Sequence, residues 1–250
     1  METLTYQLRS IRLSGMAQKL SIRLQEAMAN DLPHIDFLRN LVTDELAIRK
    51  DRLLSRRLKQ AQFPFFKTLD EFDFSFNPSI NKSQIKRLAA GAFIAKPENI
   101  LLLGPPGVGK THIAVAIGIQ AIEKGFTVLY RSVFDLAKDM SLYPENEVME
   151  MLLKPHLLIL DELGMKNLKY SASEILLEVI HRRHGKQAII IATNRPIEDW
   201  GKILGDNTAT SAILDRFLEN VHFIKILGKS YRLKNAQQNI QKEIESNNKN

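Results

Sequence analysis

The stretch Asn99-Ile100-Leu101-Leu102-Leu103-Gly104-Pro105-Pro106-Gly107-Val108-Gly109-Lys110-Thr111 decides how this chain is read. An apolar strand, Asn99 to Leu103, runs into a glycine, four residues and then Gly-Lys-Thr, and the helical pattern Ile113, Ala116, Ile117, Ala121 follows. Glycines let the backbone wrap closely around phosphate oxygens, and the N–H groups that open a helix supply donors at the positive end of its dipole. In this strand-to-helix setting, Gly104 to Thr111 reads as the phosphate loop of a nucleoside triphosphate site. Lys110 is placed to reach the β and γ phosphates, and the Thr111 hydroxyl to ligate Mg²⁺. His112 reads as a helix residue turned away from the phosphates and is left out of the site.

Outward from the loop, short apolar strands alternate with helical patterns. A helix is expected over Ile80 to Ile94, and further strands over Thr127 to Arg131, Leu157 to Leu160, Ala188 to Ala192 and His222 to Ile226. Alternation of this kind implies parallel crossovers and a doubly wound α/β sheet. The strand Leu157-Leu158-Ile159-Leu160 ends in Asp161-Glu162. A hydrolase needs one carboxylate at a strand tip to hold Mg²⁺, which suits Asp161, and an acceptor for the proton of the attacking water, which suits Glu162. The next strand ends in Thr193-Asn194-Arg195, which puts the Asn194 amide where it can orient that water. Arg216 lies on a short helix before the last strand. It reads either as a finger reaching a neighbouring subunit's nucleotide or as a partner of adjacent Asp215.

The chain has 250 residues, 44% of them hydrophobic, and no cysteine, which excludes disorder, a disulfide scaffold, thiol catalysis and cysteine-held metal. Apolar runs fall far short of the roughly 18 residues that span a bilayer, and the start lacks the plan of a signal peptide. A cytoplasmic protein without a membrane partner is expected.

The net charge of +7 is clustered. Between Leu46 and Gln60 stand Arg49, Lys50, Arg52, Arg56, Arg57 and Lys59 against the single acid Asp51, and Val221 to Lys234 is basic without an acid. Clustering of this kind suggests a polyanionic partner, and Arg49, Arg52, Arg56 and Arg57 are the candidate contacts to DNA backbone. Lys138 is a weaker candidate because acids surround it. The first sixty residues read as two main helices joined by a turn at Asn30, Asp31 and Pro33. Gln62 to Pro78, rich in phenylalanine, is too apolar for a free tether and is expected to lie across the next domain. The boundary is placed near residue 70: residues 1–70 form a helical attachment domain with its linker, and 71–250 the nucleotide domain. His181-Arg182-Arg183-His184 has no carboxylate to complete a metal site and reads as a surface helix end.

With these residues assembled, the chain resembles the AAA+ ATPases, and more narrowly the IstB family, the ATP-binding helpers of insertion sequences related to DnaC-type helicase loaders. The resemblance rests on Leu13 to Ala17, Ala61 to Pro64, Lys67 to Leu69, Phe72-Asp73, Gly104 to His112, Asp161 to Gly164, Asn194 to Pro196, Trp200-Gly201, Ser211 to Arg216 and Gly228 to Arg232. It implies a three-layer AAA+ core with a five-stranded parallel sheet behind a small all-helical domain. It further implies an ATPase using ATP and Mg²⁺ that forms a homo-oligomer on duplex DNA and stimulates the element's transposase. By position Lys110 and Thr111 match the phosphate-loop residues, Asp161 and Glu162 the acidic pair, Asn194 the first sensor and Arg216 the finger. The chain after residue 226 is too short for a full helical lid, and Arg232 is a candidate substitute for the arginine that a lid would carry. A replicative helicase loader and a nucleotide-controlled scaffold that does not hydrolyse are the competing readings.

Overall fold

A computed structural model describes residues 2–165, 170–204, 208–234 and 236–237. Contacts divide the chain into two compact units, Met1–Arg57 and Leu58–Asn250. The division therefore precedes the residue 70 expected from composition, and the phenylalanine-rich segment belongs with the second unit.

The first unit contains α1 (Glu2–Ser10), α2 (Ser14–Ala29) and most of α3 (His34–Ala61). Sequence periodicity merged the first two, but the backbone breaks at Arg12, whose φ is +63°. Met16, Leu20 and Leu41 form its small core, with Leu8, Leu24 and Phe37 against them. The start of α2 is tied down by a carboxylate from α3: the Gly15 and Met16 N–H groups donate to Glu45 Oε2 at 2.6 and 3.0 Å. A negative charge there satisfies orphan helix N–H groups and complements the helix dipole. Glycine is required at 15, because a Cβ would lie 2.9 Å from the Glu45 Cα.

In the second unit, α4 (Lys82–Ala89) and α5 (Ala92–Ala95) replace the single helix expected over 80–94. Gly91, at φ +85°, separates them. There follow β1 (Asn99–Leu103), α6 (Lys110–Glu123), β2 (Val128–Ser132), α7 (Val133–Leu142), α8 (Glu145–Leu153), β3 (Leu157–Leu163), α9 (Tyr170–Arg183), β4 (Ala188–Thr193), α10 (Trp200–Leu204), α11 (Thr208–Glu219) and β5 (Val221–Lys225). All pairings are parallel, in the order β2-β3-β4-β1-β5. Strands buried on both faces need apolar residues throughout, and this is why β1, β3 and β4 read as continuous runs rather than alternations. Because β1 pairs with β4 and β4 with β3, the residues leaving the carboxyl ends of these strands converge at one edge, where α/β sheets bind ligands. The expected sheet and its five strands are all present.

The segment 62–78 lies on this unit. Gly118 of α6 leaves room for the Phe63 ring, which a Cβ would meet at 2.9 Å. Arg131 of β2 donates to Gln62 Oε1 at 2.6 Å and pairs with Asp139 at 2.7 Å. No helix among the described residues is long and apolar enough to cross a membrane.

Candidate functional site

The loop between β1 and α6 turns on two left-handed glycines, Gly107 at φ +80° and Gly109 at φ +103°. Space forbids any side chain at either: a Cβ would come within 2.1 Å of Ser230 Oγ at Gly107 and 2.6 Å of the Phe72 ring at Gly109. Lys110 opens α6, and its ammonium donates to the carbonyls of Gly104 (2.8 Å) and Pro105 (2.9 Å). Burial pushes this ammonium below the ordinary lysine value, against the pull of Asp161. A cavity of about 380 Å³ opens over the loop, lined by Lys110, Thr111, Asp161, Glu162 and Asn194 together.

Asp161 is buried near the end of β3. The Tyr130 hydroxyl donates to its Oδ2 at 2.9 Å and the Glu162 N–H to its Oδ1 at 2.7 Å, so the carboxylate is fixed in orientation. Beyond it, β3 bulges: Leu160 pairs with Ile191 but Leu163 with Thr193, leaving two residues opposite one. Bulges re-aim side chains, and this one holds Glu162 at φ +60°, a strained conformation of the kind concentrated at functional sites. Burial, and then the Asp161 charge, pushes the Glu162 carboxyl above the ordinary glutamate value, with Arg232 and Lys110 opposing. Asn194 follows β4, whose last residue Thr193 donates to Leu163 O at 2.6 Å and so locks the two strand tips together. The Asn194 Nδ2 lies 3.4 Å from Met165 Sδ, while its buried Oδ1 has no protein partner.

Among the described residues no three His, Asp or Glu side chains gather as a metal site. Mg²⁺ does not require one, since it keeps several waters and takes one or two protein oxygens beside substrate phosphates. The Thr111 hydroxyl and the Asp161 carboxylate are hard oxygen donors in the same cavity, and the fit is good.

The far wall comes from two segments, of which sequence reasoning brings only Arg232 to the site. Phe65, Phe72, Glu71 and Asp73 of the linker line the cavity, and so do Tyr231 and Arg232. His112 belongs here too, contrary to expectation. Its Nε2 is 2.8 Å from the Thr68 carbonyl and its ring meets Phe72 edge-on at 5.1 Å, so it ties the linker to the start of α6. The second basic stretch begins as β5 in the sheet and then returns to the site. Tyr231 N–H donates to Gly107 O at 2.9 Å, and Lys234 lies over the Phe76 ring at 4.6 Å, folding the end of that stretch across the phosphate loop.

Against this geometry, the model of one family, described as IstB-like ATP binding protein, matches residues 6–239. The chain belongs to that family. This IstB-like chain is 36% identical over 238 residues to a Pseudomonas aeruginosa protein named for ATP binding and insertion sequence IS21, across 94% of this chain and 90% of that one. A Geobacillus stearothermophilus relative named likewise for IS5376 is 34% identical over 228 residues, across 90% of this chain and 91% of that one. The DnaI crystal structure superposes with a TM-score of 0.53 at 21% identity over 66% of this chain and 89% of its own. AMPPCP-bound DnaA from Aquifex aeolicus gives 0.52 at 22% identity, over 72% and 56%. At such identities these likenesses show the fold, an AAA+ phosphate-loop core.

The remaining candidates of the IstB-like chain lie elsewhere. Arg216, on α11, is exposed, is absent from the cavity lining and has His181 Nδ1 at 2.8 Å rather than a bond to Asp215. Arg49 and Arg52 are engaged within the first unit, Arg49 with Glu45 (2.6 Å) and Arg12 O (2.9 Å) and Arg52 with Ser14 Oγ. Arg56 and Arg57 form no ion pair among the described residues, and Lys138 is exposed. The segment 181–184 closes α9, with His181 and Arg182 exposed as expected of a surface helix end, and only Arg183 departs from that reading. It is fully buried, its guanidinium donating to the carbonyls of Leu152, Pro155, His156 and Ala188, and burial lowers its pKa to about 9.

Proposed function

We propose that this chain binds ATP with Mg²⁺ and hydrolyses it, as a homo-oligomer on duplex DNA that serves the transposase of an insertion sequence. The single observation that supports this best is the joint lining of one cavity by the phosphate loop, Asp161, Glu162 and Asn194. Lys110 releases its loop carbonyls to contact the β and γ phosphates. Thr111 and Asp161 would hold Mg²⁺, which when bound neutralises charge on the phosphate oxygens. Glu162, its carboxyl raised by burial, accepts the proton of the attacking water, and the unpaired Asn194 Oδ1 orients that water. Arg232 adds positive charge from the same chain, and exposed Arg216 supplies it to a neighbouring subunit's site.

The helical unit carries the attachment to DNA through Arg56 and Arg57, contacting phosphates rather than bases. Relatives named for insertion sequences favour the transposition helper over a helicase loader, for which the solved structures speak only through their fold. Purified protein mixed with ATP, Mg²⁺ and duplex DNA should release phosphate and give salt-sensitive, nucleotide-dependent assemblies. Failure to bind duplex at low salt in any nucleotide state, or a preference for single strands, would overturn the reading.

A further inference from the structure

Five carbonyls of the phosphate loop, those of Gly104, Pro105, Gly107, Val108 and Gly109, accept hydrogen bonds, and only two side chains among the described residues are donors to them. Lys110 takes those of Gly104 and Pro105; Asn77 Nδ2 takes that of Val108 at 3.0 Å. The Gly107 carbonyl is held by the Tyr231 backbone and that of Gly109 by Ile113 in the first turn of α6. A trans peptide is planar, with C=O and N–H on opposite edges, so fixing the oxygen of residue 108 outward aims the N–H of Gly109 inward. That N–H is one of the donors with which such a loop receives phosphate.

Asn77 is only 2% exposed and lines the cavity. Pro78 after it biases its backbone toward an extended conformation. On its other side Gly228 leaves it room: a Cβ there would lie 2.2 Å from Asn77 Oδ1. The amide is thus wedged between the C-terminal segment and the loop, with its donor end on Val108.

We propose that Asn77 is a positioning residue for the triphosphate, acting through the Val108 carbonyl to orient the Gly109 N–H. The inference rests on the nucleotide site described above. Its test compares ATP, ADP and adenosine binding to the full chain bearing Asn77→Asp or Asn77→Ala. Aspartate keeps the shape but replaces the donor with a carboxylate facing a carbonyl. It should cost about tenfold in ATP and ADP affinity, alanine less, and neither should alter adenosine binding. Gly228→Ala, which crowds the amide from behind, should give the same phosphate-selective loss, and serves if the buried aspartate prevents folding. A larger loss with alanine than with aspartate, or an equal loss for adenosine, would mark Asn77 as packing and overturn the proposal. Lys110→Ala separates the two readings: if it abolishes ATP binding while the Asn77 and Gly228 variants bind normally, this inference alone fails. If Lys110→Ala also binds normally, the nucleotide site itself is wrong.

Discussion

The Tyr130 hydroxyl donates to Asp161 Oδ2 at 2.9 Å, from the strand beside the one that carries the acid. Both residues are buried, and burial together with the Asp161 charge pushes the phenol well above its ordinary range, so it stays protonated and remains a donor. Tyr130→Phe should therefore raise the Mg²⁺ concentration for half-maximal hydrolysis by about tenfold, the usual scale for a partner behind a metal ligand. Nucleotide affinity without Mg²⁺ should stay as in the wild type. An unchanged Mg²⁺ titration would show that Asp161 does not depend on this bond.

Glu162→Gln should leave ATP binding intact and slow phosphate release by about 10²- to 10⁴-fold, the contribution of a positioned base. The base must be ionised, so activity should fall as pH drops through a pKa above the ordinary glutamate value, which the fold has raised. Stability runs the other way. A raised pKa favours the protonated form in the fold, so its contribution is present at low pH and lost as pH rises through the folded value. Glutamine should therefore raise the melting midpoint at neutral pH, with the gap closing in acid.

Arg216 lies outside the cavity that its own chain builds. Arg216→Ala and Lys110→Ala proteins should each lose hydrolysis, the first by about 10³- to 10⁵-fold if it matches fingers in other systems. Mixed and co-assembled, they should regain activity, because some interfaces then join an intact loop to an intact arginine. Absence of recovery in confirmed mixed assemblies would place Arg216 outside the neighbouring site.

The four arginines proposed for DNA divide by their contacts. Arg56→Ala with Arg57→Ala should weaken duplex binding and reduce the salt slope by about 0.9 per lost phosphate contact, with little change in stability. Arg49→Ala should do the reverse. It strips Glu45, only 4% exposed, of its ion-pair partner and should lower the melting midpoint of the helical unit. Equal salt slopes for both variants would return Arg56 and Arg57 to an ordinary solvated surface.

The strands were legible to within a residue or two, except that β3 continues through the bulge to Leu163. Buried parallel strands demand apolar runs, and such runs are a property of the sequence itself. The helix breaks at Arg12 and Gly91 were not legible, because each depends on one left-handed backbone angle inside a continuing apolar pattern. Arg183 misled for a related reason: composition marks arginine as surface, and its burial is made tolerable by four backbone carbonyls, three of them from the distant 152–156 segment and one from nearby Ala188.

The sequence by itself determined the phosphate loop, the acidic strand end and the alternation that makes a parallel sheet, because these are local patterns whose geometry follows from residue type and spacing. Tertiary structure alone decided what surrounds them. Tyr130 behind Asp161, Asn77 behind Val108, His112 on Thr68 and the 228–234 segment over the loop all join residues far apart in the chain. A hydrogen bond depends on distance and direction in space, and spacing along the chain carries neither.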